Sequence, residues 1–305
     1  MEALDTPEST KNTSDESPSS GAPFPAPGRI GTGMGTGIGA GIGTGIGTGT
    51  GTGLGTGTGI GTAADSVGSP KRYPIRLGAA WRALRKLIAD PDRTDQVFVI
   101  IDALSGNSGE RQFRRFLALP IGRQVLSEKR DILARLSDRK ALHALAQGTL
   151  GKTYAIFMTD EQISADGLVE ASVDGGRVVG HDEDRTRFGV RLRDTHDLWH
   201  VLTGYNRDLV GEASLLAFTF AQTRNPGIGL IVAMAYLKAG NIPGARKTIR
   251  RGYGRGRRAA WLPGADWETL LGRPLDDVRA ELGLGALPEY AEVRSTEGEL
   301  ALRSN

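Results

Sequence analysis

The sequence predicts a mainly α-helical single domain that follows a disordered, glycine-rich N-terminal tail. After residue 71, apolar residues recur at three- and four-residue spacing, which is the period of an amphipathic helix. The strict apolar–polar alternation of strands is nearly absent there. Between Gly31 and Gly61 every second residue is glycine, and such a tract loses much backbone entropy on folding while burying little. We therefore predict a disordered low-complexity tail over 1–70 and a helical domain over 71–305.

Helical spacing defines a series of short elements that are separated by helix-breaking residues. In order, they lie around 81–88, 97–104, 113–117, 132–136, 142–145, 150–158, 187–202, 212–222, 228–238, 242–251, 266–268 and 274–282. Pro91, Pro120 and Pro226 mark ends of elements, because proline cannot continue a helix that precedes it. Residues 166–185 are rich in glycine and aspartate, which predicts a loop or a short hairpin.

Composition restricts the class of protein. The 305-residue chain has a net charge of +3 and no cysteine, so disulfides and thiolate–metal sites are excluded. The acidic N-terminus resembles neither a signal peptide nor a transit peptide. No apolar run reaches the roughly 18 residues of a membrane-spanning helix. We expect a cytoplasmic protein, or one held peripherally on the inner face of the membrane.

Two of the four histidines, together with two carboxylates, form the most concentrated set of functional side chains. His196 and His200 are four residues apart, so they share one face of a helix, and Asp197 lies at the edge of that face. Glu212 follows a turn and begins the next predicted helix. Imidazoles and carboxylates suit zinc, iron or manganese. Spacing alone leaves two readings open: a metal site, or polar residues of an ordinary amphipathic helix.

The histidine spacing also occurs in zinc proteases, so a metal-dependent hydrolase is a further alternative. Those enzymes place glutamate directly after the first histidine as a general base. Here that position is Asp197, whose side chain is one methylene shorter and is better suited to bind the metal or to orient a ligand. Trp199, Val201 and Leu202 are predicted to be core, and Arg193 with Asp194 a solvated helix end.

The second half of the domain combines apolar helices with cations. Between residues 213 and 265 there is no aspartate or glutamate, whereas nine lysines and arginines occur, seven of them within 246–258. This combination suits a lipid-like ligand with an anionic head, or an anionic membrane surface. The candidate contact residues are Arg246, Lys247, Arg250 and Arg251. A purely solvated face is the alternative. Nucleic acid is not an expected partner, because no recognisable binding motif accompanies the basic run.

Three landmarks in this order carry a resemblance to a known family. The motif His196-Asp197-x-x-His200, followed by eleven residues and Glu212, is accompanied by the upstream segment 147–154 and the C-terminal run 267–283. Together they resemble the signature of the Coq4 family of ubiquinone biosynthesis proteins, over about residues 73–290. The glycine-repeat tail lies outside this resemblance.

The resemblance implies a mainly helical protein that binds a divalent metal, described as zinc, through His196, Asp197, His200 and Glu212. It also implies action on a polyprenylated benzoate-type precursor of ubiquinone, with oxidative removal of the C1 carboxylate, and a role in organising the other biosynthetic enzymes at a membrane. We expect the metal to act as an electrophile and template. No Rossmann glycine fingerprint is present, so no bound flavin or nicotinamide is expected.

The remaining landmarks are predicted to be structural. Gly148 and Gly151 are expected to shape a turn, and Tyr154 to belong to the core. His143 and His181 are isolated in the sequence and are expected to be surface or structural residues. The sequence leaves the oligomeric state open, with a homodimer as one option.

Overall fold

Helices make up the regular structure of the residues that the structure describes. The computed structural model describes residues 73–89, 95–161 and 183–293, apart from the side chains at positions 95 and 98. Within these ranges no strand is present, and Thr149 and Pro274 form an isolated antiparallel bridge. The predicted mainly α class is therefore confirmed for the described residues. The tail predicted for 1–70 and most of the loop predicted for 166–185 lie outside them, and the boundary at residue 70 stays a prediction.

The described residues form fourteen α-helices and two short 3₁₀ helices. The α-helices are α1 Leu77–Ala89, α2 Asp95–Ser105, α3 Ser108–Ala118, α4 Pro120–Ser127, α5 Ile132–Ser137, α6 Arg139–Ala144, α7 Leu150–Asp160, α8 Glu183–Asp194, α9 His196–Thr203, α10 Leu209–Thr223, α11 Pro226–Lys238, α12 Ala245–Arg258, α13 Trp267–Leu270 and α14 Leu275–Glu281. The 3₁₀ helices are Ala239–Asn241 and Leu262–Gly264.

Local sequence explains where many of these helices begin. The side chains of Asp131, Thr149, Asp208 and Asn225 each accept a hydrogen bond from a backbone N–H in the first turn of the helix that follows, and such capping stabilises a helix by about 1 kcal/mol. Pro120 does more than end an element, because it also begins α4, where its fixed φ is favourable. Helix α4 was not predicted.

The largest apolar cluster joins the helices around α9 and α10. Trp199, Leu202, Phe218 and Trp267 are at most 2% exposed. Almost all of α10 is buried, including its polar residues. The predicted core roles of Trp199, Val201 and Leu202 are confirmed, since all three are buried. The predicted site residues therefore lie on helices that contribute to this cluster.

Helix α12 lies unusually close to α10 because glycine faces it. A Cβ atom on Gly252 would lie 2.3 Å from the carbonyl oxygen of Ser214, and one on Gly256 would lie 2.6 Å from that of Phe218. These distances are well below van der Waals contact, so only glycine allows this backbone approach. The two helices bury Ala217, Ala245 and Ile249 between them and their neighbours.

Helices α1, α2 and α11 form a second apolar cluster with an incompletely covered outer face. Ala80 and Ala83 of α1 pack against α2. By contrast, Leu77, Trp81 and Ile88 on the outer side of α1 are 60–70% exposed. Among the described residues, no helix is both long and apolar enough to cross a membrane.

Two buried ion pairs fix α8, the helix that leads into the predicted site. Arg185 donates to both carboxylate oxygens of Glu110 on α3, at 2.7 and 3.0 Å. Arg191 binds both oxygens of Glu268 on α13, at 2.6 and 2.7 Å. Bidentate arginine–carboxylate pairs restrict orientation as well as distance. Helix α8 is therefore held on two sides.

Replacing Glu110 by glutamine is expected to lower the free energy of unfolding at pH 7 by about 3 kcal/mol, because the buried Arg185 guanidinium would lose the carboxylate charge of Glu110. Hydrogen bonding from Arg185 lowers the pKa of Glu110. Its contribution is therefore present at neutral pH and is lost as the pH falls below about 4.5 through the lowered value. Urea denaturation at pH 7 and pH 4 would measure both effects.

The matched control is Glu281→Gln, which removes an exposed partner of Arg273 and should change stability little, as exposed pairs do. Equal stability of the Glu110 variant and the parent chain at pH 7 would contradict the assigned role of this pair.

Candidate metal centre

The predicted site residues lie at the start of α9, directly after a one-residue break. A single helix was predicted across 187–202, but the chain forms α8 and α9 with Thr195 between them. The Thr195 hydroxyl donates to the carbonyl of Arg191 at 3.0 Å, a local bond that competes with regular helix geometry. His196 and Asp197 therefore occupy the first turn of α9, and His200 lies one turn later.

Helix α9 brings three of the four predicted ligands together. One ligand atom each from His196, Asp197 and His200 lies within 4.8 Å of the others. All three residues are buried, with exposed fractions of 7%, 3% and 1%. The two imidazole rings are edge-on to each other, with centroids 5.0 Å apart. The residues thus form a compact group that could hold a metal ion.

A backbone hydrogen bond determines which nitrogen of His200 faces this group. Its Nδ1 lies 2.7 Å from the carbonyl oxygen of Tyr205. Since a carbonyl oxygen can only accept, Nδ1 carries the hydrogen, and Nε2 of the neutral ring keeps its lone pair. This arrangement is usual for metal-binding histidines, in which the second nitrogen is fixed by a hydrogen bond.

Glu212, the fourth predicted ligand, reaches the site from α10. Its Oε1 lies 3.5 Å from His200 Nε2, although the compact three-residue group does not include it. Asp208 caps α10 by accepting from the N–H groups of Val210 and Gly211. A Cβ on Gly211 would lie 2.0 Å from the carbonyl oxygen of Asn206. The tight turn that delivers Glu212 therefore requires glycine at position 211.

Burial sets the protonation states of the four side chains. It lowers the pKa of His196 and of His200 to about 4, so both imidazoles are neutral near pH 7. It raises the pKa of Asp197 to about 7 and raises that of Glu212 as well. Carboxylates in such surroundings are stabilised in the ionised form by a nearby cation.

The donor set fits a divalent metal ion. Asp197 Oδ1, His200 Nε2 and Glu212 Oε1 are buried and have no hydrogen-bond partner among the described residues. Buried polar atoms are rarely left unpaired, because the loss of their hydration costs several kcal/mol. Two neutral imidazoles and two carboxylates are also a ligand combination that zinc accepts.

Aromatic residues of α7 complete the immediate surroundings. Phe157 stacks on the His200 ring, with centroids 5.9 Å apart. Tyr154 is buried, as predicted, but its hydroxyl has no partner among the described residues. Burial and the charge of Asp197 raise the pKa of Tyr154, so it remains a neutral hydrogen-bond donor. Tyr154 is thus a core residue that also adjoins the site.

The prediction that Asp194 lies at a solvated helix end is wrong. Asp194 is 2% exposed, and Arg193 donates to its Oδ1 at 2.8 Å. Burial raises the pKa of Asp194. The reason is tertiary: α8 does not end at the surface but continues almost directly into the buried helix α9.

Two arginines hold the C-terminal end of α9. Arg279 donates to the carbonyls of Val201 and Leu202, and Arg255 donates to that of Thr203 at 2.7 Å. These bonds satisfy carbonyls that a helix end leaves free and place positive charge at its negative pole. Arg255 is one of the seven cations of 246–258, but it is buried and supports the site helix.

The other cations of the predicted lipid or anion contact are on the surface. Arg246, Lys247, Arg250 and Arg251 all lie on the exposed side of α12. Arg246 also donates to the carbonyls of Tyr236 and Leu237 at the end of α11. Leu237 is 69% exposed, so an apolar side chain borders this cationic face.

His143, one of the two isolated histidines, is not part of the centre. His143 is exposed on α6, as predicted, and His181 lies outside the described residues. Arg207 was not singled out from the sequence, yet its Nε lies 3.8 Å from Glu212 Oε1. An arginine in a loop carries no periodic signal, so only the fold reveals this proximity.

The chain is similar in sequence to proteins of one family. The family model described as coenzyme Q (ubiquinone) biosynthesis protein Coq4 matches residues 69–288. The mitochondrial ubiquinone biosynthesis protein of Neurospora crassa is 30% identical over 218 residues, which cover 70% of this chain and 60% of that protein. Its counterpart from Talaromyces stipitatus is 30% identical over 234 residues, covering 73% and 76%.

A solved structure shares the fold. It is a Nostoc punctiforme protein assigned provisionally to ubiquinone biosynthesis, and it aligns with a TM-score of 0.53 at 22% identity. The alignment covers 70% of this chain and 100% of that one. The chain spans about three fifths of the Neurospora protein.

Proposed function

The chain belongs to the Coq4 family of coenzyme Q (ubiquinone) biosynthesis proteins, and we propose that it is a metalloprotein that removes the C1 carboxylate oxidatively from a polyprenylated hydroxybenzoate precursor. In this proposal His196, Asp197, His200 and Glu212 hold a divalent metal, with zinc the best candidate. Membership of the family indicates the biosynthetic pathway, whereas the arrangement of donor atoms supports the binding of a metal ion.

One contact carries the metal proposal. His200 Nε2, which bears a lone pair, faces Glu212 Oε1 at 3.5 Å, and neither atom has a hydrogen-bond partner among the described residues. Two buried electron-rich atoms repel each other unless a cation or a proton lies between them. A separation of 3.5 Å is long for a proton-mediated hydrogen bond but is accommodated by two ligands of one metal ion.

The chain's own residues would bind and orient the ring and exclude water. Burial of the four ligands and the stacked Phe157 lower the local dielectric, which strengthens each electrostatic contact with a charged ring substituent. When bound, the metal would supply an electrophile that stabilises negative charge on a carboxylate or phenol oxygen. With water as the source of the hydroxyl oxygen, replacement of a ring carboxyl group by a hydroxyl group releases carbon dioxide, two protons and two electrons, so a two-electron oxidant must also reach the site.

A strain that lacks this protein is expected to accumulate a carboxylated, prenylated ring compound, which lipid extraction and mass spectrometry would detect. Metal analysis of the purified protein should find about one divalent ion per chain. Normal quinone levels without accumulation would contradict the proposed reaction. Peptidase or esterase turnover by the purified protein would favour a metal-dependent hydrolase instead.

A non-catalytic organiser that binds the polyprenyl intermediate and its partner enzymes is the second candidate. The observation that favours it is the apolar outer side of α1, where Leu77, Trp81 and Ile88 are exposed. Exposed apolar surface of this kind often marks an interaction site. Simultaneous loss of several biosynthetic enzymes in a strain without this protein would favour the organiser.

Contact with an anionic membrane surface is compatible with both candidates. Exposed apolar residues on α1 have Arg82, Arg85 and Lys86 beside them on the same helix, and α1 contains no acidic residue. The cationic face of α12 has Leu237 at its border. Apolar side chains beside cations are typical of helices that lie in a membrane interface.

Neutralising Arg250 and Arg251 with glutamine is expected to weaken binding to anionic vesicles by roughly fivefold for each cation removed, since each contributes about 1 kcal/mol near such a surface. Flotation with and without anionic lipid would measure this, with Arg135→Gln as an exposed control on α5. Equal binding to both vesicle types by the parent chain would exclude an electrostatic contact.

A further inference from the structure

Arg207 is a cation directed at the candidate metal centre from the loop between α9 and α10. Its side chain is 16% exposed, and its Nε is 3.8 Å from Glu212 Oε1. That distance is beyond hydrogen-bond range, and the buried Nε has no acceptor among the described residues. The guanidinium therefore has donor capacity at the site that the fold does not use.

The backbone on both sides of Arg207 is fixed. Asn206 N donates to the Tyr290 hydroxyl at 2.9 Å, and this hydroxyl donates to Asp208 Oδ2 at 2.8 Å. Asp208 Oδ1 also caps α10. Both neighbours of Arg207 are thus bonded to the same Tyr290 hydroxyl, and one of them also caps α10, so the approach of Arg207 to Glu212 is part of the fold.

The terminal nitrogens of two other buried or half-buried arginines already donate to acceptors within the chain. Both terminal nitrogens of Arg191 are bonded to the Glu268 carboxylate, and Arg279 donates to carbonyls at the end of α9. These side chains are structural, because their terminal nitrogens donate to acceptors of the chain itself, although Arg191 Nε, like Arg207 Nε, has no partner among the described residues. The planar fork of Arg207 has no such acceptor among the described residues, and it matches a carboxylate in shape.

We propose that Arg207 is the anion-binding residue of this centre and takes the carboxylate of an aromatic ring substrate; this rests on the proposed function. Its planar fork would donate two N–H hydrogen bonds to the carboxylate, so that one residue positions the ring group on which the metal centre acts. The ligand class assigned to Arg207 is an aromatic carboxylate. Inorganic phosphate is the alternative anion that would make a similar contact with the guanidinium.

The test compares binding of two probes to the full chain loaded with Zn²⁺. The probes are 4-hydroxybenzoate and its neutral analogue 4-hydroxybenzamide, measured by calorimetry, with metal content measured by mass spectrometry. We expect Arg207→Gln to keep its zinc and to weaken 4-hydroxybenzoate binding about 10- to 100-fold, the range for a lost charge-assisted hydrogen bond. Binding of the amide should change little. Arg207→Lys, which keeps the charge, should recover part of the affinity, and Arg135→Gln should behave as the parent chain.

The outcomes separate this inference from the proposed function. If the parent chain binds zinc and 4-hydroxybenzoate but Arg207→Gln binds both equally well, the inference alone is wrong. Loss of zinc from Arg207→Gln, or equal weakening of both probes, would make Arg207 a structural counter-ion of Glu212 and would overturn the inference. Inorganic phosphate that binds as tightly as 4-hydroxybenzoate would overturn the assigned ligand class. A parent chain that binds no zinc would refute the proposed function itself.

Discussion

Replacement of His200 by alanine is expected to abolish stoichiometric metal binding and, with it, support of ubiquinone production. His200 is the residue that joins the compact group on α9 to Glu212 on α10, because it belongs to that group and its Nε2 lies 3.5 Å from Glu212 Oε1. Its loss removes a ligand outright, and even changes to residues that only orient a ligand lower metal affinity 10- to 100-fold. We therefore expect an affinity loss of more than about a hundredfold. Equilibrium dialysis against zinc, followed by metal analysis, would measure it.

The matched control is His143→Ala, which removes an exposed histidine of α6 and should leave metal content unchanged. Because His200 is buried, its variant needs a check of helical content by circular dichroism, and His200→Gln keeps most of the volume if the alanine variant unfolds. A folded His200 variant that retains one zinc ion per chain would contradict the proposed centre. A metal-free variant that still supports normal quinone levels would contradict catalysis.

Three of the four predicted ligands could be predicted from the sequence because they form a local pattern. His196, Asp197 and His200 lie within one and a half turns of helix, so their proximity follows from helix geometry once the segment is recognised as helical. Glu212 was placed only through the family resemblance and a predicted second helix. In the structure its carboxylate lies beside His200. Neither the break at Thr195 nor the tight turn at Gly211 produces a periodic pattern in the sequence, so neither was predicted.

Residues that support or supplement the site could not be predicted, because they approach it through long-range contacts. Arg255 and Arg279 lie more than fifty residues from the carbonyls of α9 that they bind. In sequence, Arg255 is one of seven cations between 246 and 258, and nothing local separates it from Arg250. Only the packing of α12 on α10 turns one arginine inward and leaves the other exposed. A composition argument therefore identifies the basic segment but cannot tell which of its cations are buried.

The same packing leads to the second large effect, a loss of stability when Gly252 is replaced by alanine. Its added Cβ would meet the Ser214 carbonyl oxygen at 2.3 Å. That atom belongs to the backbone of α10, so α12 must move away instead of rotating a side chain. Overpacking of this kind costs about 1–3 kcal/mol. Since α10 carries Glu212, we also expect metal affinity to fall.

The neighbouring Gly254 provides a control with the opposite sign on the same helix. A Cβ there would lie 3.4 Å from the flexible end of Arg258, which is ordinary contact. Gly254→Ala should therefore raise the free energy of unfolding by about 0.5–1 kcal/mol, because alanine loses less conformational freedom on folding. Urea denaturation of the two variants would measure the contrast. If both substitutions stabilised the protein equally, the role assigned to Gly252, which is to allow close contact between α10 and α12, would be wrong.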